Sequence, residues 1–186
     1  VPKVPLSPDL IKFIEGQPIY FVATAPLSTD GHVNCSPKGG TGTFKVISPL
    51  KVAYIDYVGS GVETVAHLKE NGRIVVMFAS FGSKPKIVRI HGKGYVREAG
   101  SLEFRDISQH FQGSLRGARC VVEISVEEVS TSCGYGVPLM QYMKDRETMS
   151  SWLASKGQDG LRNYVRKKNS LSIDHLRGLE GTEVAF

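Results

Sequence analysis

The chain lacks any apolar run long enough to cross a bilayer: the longest, Ile74 to Ala79, is far below the ~20 residues of a membrane helix. No basic-then-apolar leader stands at its start, so a cytoplasmic location and no membrane partner are expected. Cysteine is scarce. Cys35, Cys120 and Cys133 are an odd number without Cys-x-x-Cys or Cys/His spacing, which argues against a disulfide framework and a zinc site. Gly-x-Gly-x-x-Gly after a strand and Gly-x-x-x-x-Gly-Lys-Ser/Thr are both missing, which argues against Rossmann and P-loop nucleotide sites. No Ser-His-Asp order, metal-ligand cluster or close carboxylate pair supports hydrolytic or metal chemistry. The formal charge of +5 is spread along the chain, and Arg166-Lys167-Lys168 reads as a solvated helix end, so nucleic acid is not expected as a partner.

What is present fits an ordinary globular protein. At 186 residues, with 41% hydrophobic and 22% charged residues, the chain suits one domain with a full core. Ser7-Pro8-Asp9 opens a helix that Gly16 closes. Ile19 to Ala25 reads as a strand, and Asp30-Gly31 turns it into a second, His32 to Ser36. Ser36 to Gly42 reads as a loop of glycines and hydroxyls that carries Lys38. Phe44 to Ile47, Lys51 to Ile55, Arg73 to Ser80, Lys86 to Val96 and Cys120 to Val126 read as further strands, with a helix over Leu102 to Phe111. Along Lys86 to Val96, Ile87, Arg89, His91 and Lys93 share one side. After Ser132 to Pro138 the chain reads as helical from Leu139 to about Lys156 and again from Asp159 to Lys167, an appendage of the same domain. About seven strands with few helices between them predict an antiparallel barrel or sandwich, of which a small barrel is the choice.

The chain is organised around the corner from Asp56 to Gly72. Ser60 followed by Glu63 has the spacing of a capping box, and Asn71-Gly72 has the chemistry of a helix stop. Gly59 and Gly61 leave the backbone bare, so a phosphate can approach amides at the positive end of the helix dipole. The same glycines also suit a plain flexible connection. His67, mid-helix beside the corner, reads as a packed or surface histidine.

Three segments in order, Asn34-Cys35-Ser36-Pro37-Lys38-Gly39, Asp56-Tyr57-Val58-Gly59-Ser60-Gly61-Val62-Glu63-Thr64 and Lys86-Ile87-Val88-Arg89-Ile90-His91-Gly92, resemble the pyridoxamine 5′-phosphate oxidase-like family of FMN-binding split barrels. The resemblance covers about residues 10–126. Ser132 to Pro138 and Ser172-Ile173-Asp174 resemble an uncharacterised subgroup. It implies a mainly β fold with α: an antiparallel split β-barrel with peripheral helices and a C-terminal helical extension from about residue 133. It also implies a homodimer with FMN in a cleft to which both subunits contribute.

By the same resemblance, the first segment runs beside the flavin, so Cys35, Ser36, Pro37 and Lys38 carry over as cofactor contacts. Asp56, Tyr57, Ser60, Gly61 and Thr64 carry over from the second segment and Arg89 from the third. Cys133 and Tyr135 lie on a loop that covers the ring. Val33 stands where the family has a basic residue, Glu63 and Thr64 where the oxidase has an Arg-Lys pair, and Ile87 where it has a glutamine. Lys38 and Arg89 are expected to approach one cofactor from neighbouring strands. Two functions follow: an FMN-dependent oxidoreductase acting on an unspecified small molecule, or a carrier or sensor that holds a flavin, deazaflavin or haem without turnover.

Overall fold

The computed structural model describes residues 4–111 and 115–185. Helix α1 (Pro8–Glu15) starts as its sequence dictates: Ser7 accepts the Leu10 amide, and proline fills the first turn. Seven strands follow: β1 (Ile19–Thr24), β2 (Asn34–Gly39), β3 (Phe44–Ser48), β4 (Lys51–Tyr57), β5 (Arg73–Ala79), β6 (Ile87–Glu98) and β7 (Ala118–Ser132). Between them lie α2 (Glu63–Asn71) and α3 (Leu102–Ser108), and α4 (Thr148–Lys168) follows the sheet.

All pairings are antiparallel, in the order β2-β1-β5-β6-β7-β4-β3. The sheet curls on itself. Lys38 of β2 reaches Asp56 of β4, although four strands separate β2 and β4 along the sheet. Tyr20 of β1 packs on Phe44 of β3 and Tyr54 of β4, with ring centroids 5.2 and 5.8 Å apart. The fold is thus the antiparallel split barrel expected. Its core runs from Ile14 and Tyr20 through Val76, Phe78 and Ile90 to Val122 and Ile124. Among the described residues no helix is long and apolar enough to cross a membrane.

Four segments depart from the reading of the sequence. The supposed loop from Ser36 belongs largely to β2, whose Pro37 pairs with Phe21. Proline is tolerated because β2 is an edge strand with one side free of ladder bonds. Strand β7 runs on to Ser132 because β6 pairs with it from Cys120 to that end, although the sequence beyond Val126 turns polar. Residues 139–147 are not helical. Asp145 there accepts both the Thr41 amide (2.9 Å) and the Thr41 hydroxyl (2.8 Å), and the Met140 amide donates to Phe81 O, so tertiary bonds replace helical ones.

The fourth departure lies at the corner. Ser60 does not cap α2: Val62 is the N-cap and no side chain bonds the first turn. The far end is as expected, with Gly72 at φ 72° and its amide on Leu68 O, the left-handed stop that glycine tolerates.

Candidate functional site

The side chains that the sequence singles out divide between the two faces of the sheet. Lys38 shares a row with Tyr20, Phe78 and Val88 on the inner face. Pro37 shares the next row with Phe21, Met77 and Arg89 on the outer face, because alternate residues of a strand point oppositely. Lys38 and Arg89 therefore do not meet within one chain, and their strands are not neighbours: β1 and β5 stand between them. The Arg89 guanidinium instead donates to Ser132 Oγ at 3.1 Å. Cys35, two residues before Pro37, is also outward and exposed. Cys133 and Tyr135 are exposed on the loop after β7, where Gly134 at φ 69° lies against the Lys86 backbone.

The inner group does converge. Ser36 and Lys38 of β2, Tyr57 at the end of β4, Ser60 and Gly61 of the corner, and Thr64 of α2 line a cleft of about 330 Å³. A cavity of about 590 Å³ adjoins it, sharing Gly39, Tyr57 and Met149. Larger cavities exist, but this cleft is distinguished by its floor. There Asp56, fully buried, accepts from Lys38 Nζ at 2.5 Å and Arg119 Nε at 2.8 Å.

A buried carboxylate needs such partners, since desolvation without them costs several kcal/mol. Burial pushes the Asp56 carboxyl up, but the Arg119 charge, and after it that of Lys38, outweighs burial and holds it at about 2. Two cations face one anion, so the floor carries one positive charge in excess. Cys120 Sγ lies 3.8 Å from Asp56, and burial with that neighbour pushes the thiol well up, so it is no nucleophile.

Arg119 also explains the shape of the corner. Its Nη1 donates to Gly61 O at 2.7 Å, and Asn169 Nδ2 donates to Gly59 O at 2.8 Å. The loop is gripped by its carbonyls, which sets its path and leaves Ser60 outside the cap position. The Glu63 carboxylate folds back on this loop: a Cβ at Gly61 would overlap Glu63 Oε2, so the bare glycine lets the carboxylate come this close. Glu63 Oε1 accepts the Ile173 amide at 3.3 Å.

A polar chain leads from the cleft into the core. Ser36 Oγ donates to Asn34 Oδ1, and Asn34 Nδ2 donates to Thr64 Oγ1 (2.9 Å) and Thr24 Oγ1 (3.2 Å). Thr24 Oγ1 in turn lies 2.9 Å from Nδ1 of His67, which is fully buried. Burial pushes this imidazole below its ordinary 6.5.

Asp56 and His67 both bind protons less readily folded than unfolded, so acid should destabilise the protein in two steps. The first begins as pH falls below about 6.5, where unfolded histidine takes a proton that His67 refuses. The second falls between about 4 and 2 as Asp56 is lost, and is worth about 2 kcal/mol. Urea midpoints measured across this range should show both steps, and His67→Gln should abolish only the first. A wild-type midpoint flat from pH 7 to pH 5 would disprove the His67 step.

Arg119, Asn34, Asn169 and the Ile173 amide are the site groups that the sequence reading missed. Asn34 and Ile173 lie within the family-like segments, and Arg119 left a signal of its own, a lone charge in the apolar run Ala118-Arg119-Cys120-Val121-Val122. Among the described residues no group of three or more His, Cys, Asp or Glu side chains is arranged to hold a metal.

Comparison with known proteins places this chain in a lineage. The family model of pyridoxamine 5′-phosphate oxidase matches residues 6–133. A pyridoxamine 5′-phosphate oxidase family protein, ustO of Aspergillus flavus, is 38% identical over 191 residues, covering 94% of this chain and 76% of that protein. Among solved structures, HupZ of Group A Streptococcus is similar at a TM-score of 0.53 and 18% identity, over 69% of this chain and 94% of its own. A protein of Bacteroides thetaiotaomicron described as a candidate 5-nitroimidazole antibiotic resistance protein gives 0.50 and 14%, over 69% and 86%. At such identities the two structures speak for the fold alone. The family match and the fungal relative go further: this chain belongs to the pyridoxamine 5′-phosphate oxidase family.

Proposed function

We propose that the chain is a flavin-binding oxidoreductase of this family, with FMN as its cofactor and a small molecule as its substrate. The observation that carries the reading is the cleft beside Lys38, Asp56 and Arg119. A cavity of about 330 Å³ falls within the range of small-ligand sites, and its floor has an excess positive charge held rigid by burial. Ser36, Ser60 and Thr64 add hydroxyls, and Tyr57 adds an aromatic wall. A flavin supplies the electron chemistry when bound, whereas the chain's own residues bind and orient. Lys38 is the cation that can still turn to a ligand, being 22% exposed where Arg119 is 5% exposed.

The division of candidate residues between two faces supports a homodimer. Cys35 and Arg89 face outward, so a site that uses them with Lys38 needs the cleft of one protomer and the outer sheet face of its partner. Isologous dimers are also the commonest soluble oligomers.

One experiment tests both parts. Sedimentation of the FMN-treated protein, followed at the flavin absorption band, should show yellow material at the mass of two chains. Lys38→Ala should remain folded, since Asp56 keeps Arg119, but carry much less flavin. Flavin sedimenting only as free FMN would defeat the cofactor assignment, and a fully loaded monomer would defeat the dimer. A loaded dimer that no nicotinamide donor reduces would favour the carrier function over the enzyme.

A further inference from the structure

The corner between Gly59 and Thr64 already holds a negative charge of the chain's own. Glu63 is the first residue of α2 and lines the cleft. Its carboxylate turns back over Gly61, close enough that a Cβ there would displace it, and the Ile173 amide tethers it. No side chain caps α2, so this carboxylate is the anion in its first turn. The nearby cations do not pair with it. Lys38 and Arg119 are both engaged with Asp56, and among the described residues Glu63 takes part in no ion pair.

The turn that supplies the tether is itself well fixed. Leu171 and Arg177 bridge its two arms, the Ser172 amide donates to Leu176 O, and Asp174 is bonded to both the amide and the ring of His32. Behind it, a Cβ at Gly178 would overlap Val62, so the turn sits directly against the N-terminal end of α2. Glu63 is therefore held over the corner from two sides.

We propose that Glu63 is the specificity-determining residue of the cleft: its carboxylate stands where a ligand's terminal anion would bind, and so penalises a phosphate-terminated ligand against the same ligand without phosphate. Two like charges brought within a few ångströms at a partly buried site repel by more than thermal energy. FMN then binds against this charge, whereas riboflavin does not. The inference rests on the flavin reading for one of its probes, and a second probe is independent of it.

Dissociation constants for FMN and riboflavin, from quenching of flavin fluorescence, are compared in wild type, Glu63→Gln and Glu63→Asp. Glu63→Gln should tighten FMN by about tenfold or more and leave riboflavin within about twofold. Glu63→Asp keeps the charge and should keep most of the discrimination. An FMN-to-riboflavin ratio unchanged by Glu63→Gln would overturn the proposal, and so would a gain in Glu63→Asp equal to that in Glu63→Gln.

Inorganic phosphate provides the independent arm, read by NMR shifts of the Gly61 and Thr64 amides. Phosphate should move them in Glu63→Gln and leave wild type still. Equal movement, or none in either, counts against the role of Glu63. Failure of both flavins to bind any form, with this phosphate response intact, would instead count against the flavin reading.

Discussion

Replacing Arg119 with methionine should cost about 3–5 kcal/mol of stability, because it breaks a buried ion pair and leaves an anion behind. Asp56 has no exposure and would keep only Lys38, the more exposed of its two partners. The change would also strip the Gly61 carbonyl of its 2.7 Å donor, freeing the loop that shapes the cleft. Arg119 thus links stability to the site through one guanidinium. Urea denaturation should register the loss, and Asp56→Leu combined with Arg119→Met should recover part of it, since the second change removes the stranded charge. A loss below about 1 kcal/mol in Arg119→Met would show that the pair is dispensable.

Leu161→Ala should be comparably damaging, at about 2–5 kcal/mol, although it lies well beyond the matched family segment. Leu161 has no exposure and belongs with Leu153 and Val165 to the same core as Tyr20 and Phe78. Helix α4 is therefore part of the packing and not a loose addition. Leu153 fits against the turn at Gly117, where φ is 87° and a Cβ would overlap its methyls. A chain cut after Ser132 would expose this apolar surface and should not fold. Thermal melts of both variants decide: an unchanged midpoint in Leu161→Ala would mean that α4 only rests on the domain.

The sequence made the frame legible where structure is local. Ser7-Pro8 and Gly72 marked helix ends through chemistry contained within one turn, and alternation along β6 gave its faces correctly. Reading failed where distant groups decide. Ser60 has the right spacing for a cap, but Arg119 and Asn169, 59 and 109 positions further on, pull the loop elsewhere. Composition also misled at β2, since Pro37 and the following glycines resemble a loop and only pairing with β1 reveals an edge strand. At the site, Ser36, Lys38, Tyr57, Ser60, Gly61 and Thr64 of the family-like residues line one cleft, whereas Cys35, Arg89, Cys133 and Tyr135 lie elsewhere. What could not be read was their division between two faces, which depends on register, nor Glu63 turned inward against Gly61.

The strand order has one consequence for how the protein is made. Three hairpins, β1–β2, β3–β4 and β5–β6, join neighbours in the chain and need only short loops to close. Strand β7 alone pairs with both β6 and β4, so it is the one ladder joining the β2-β1-β5-β6 half to the β4-β3 half. A ribosome releasing this chain delivers β7 last among the strands. Until Ser132 has emerged, β3–β4 has no partner strand to complete the sheet, and its apolar residues Val52 and Tyr54 must wait uncovered for the final segment.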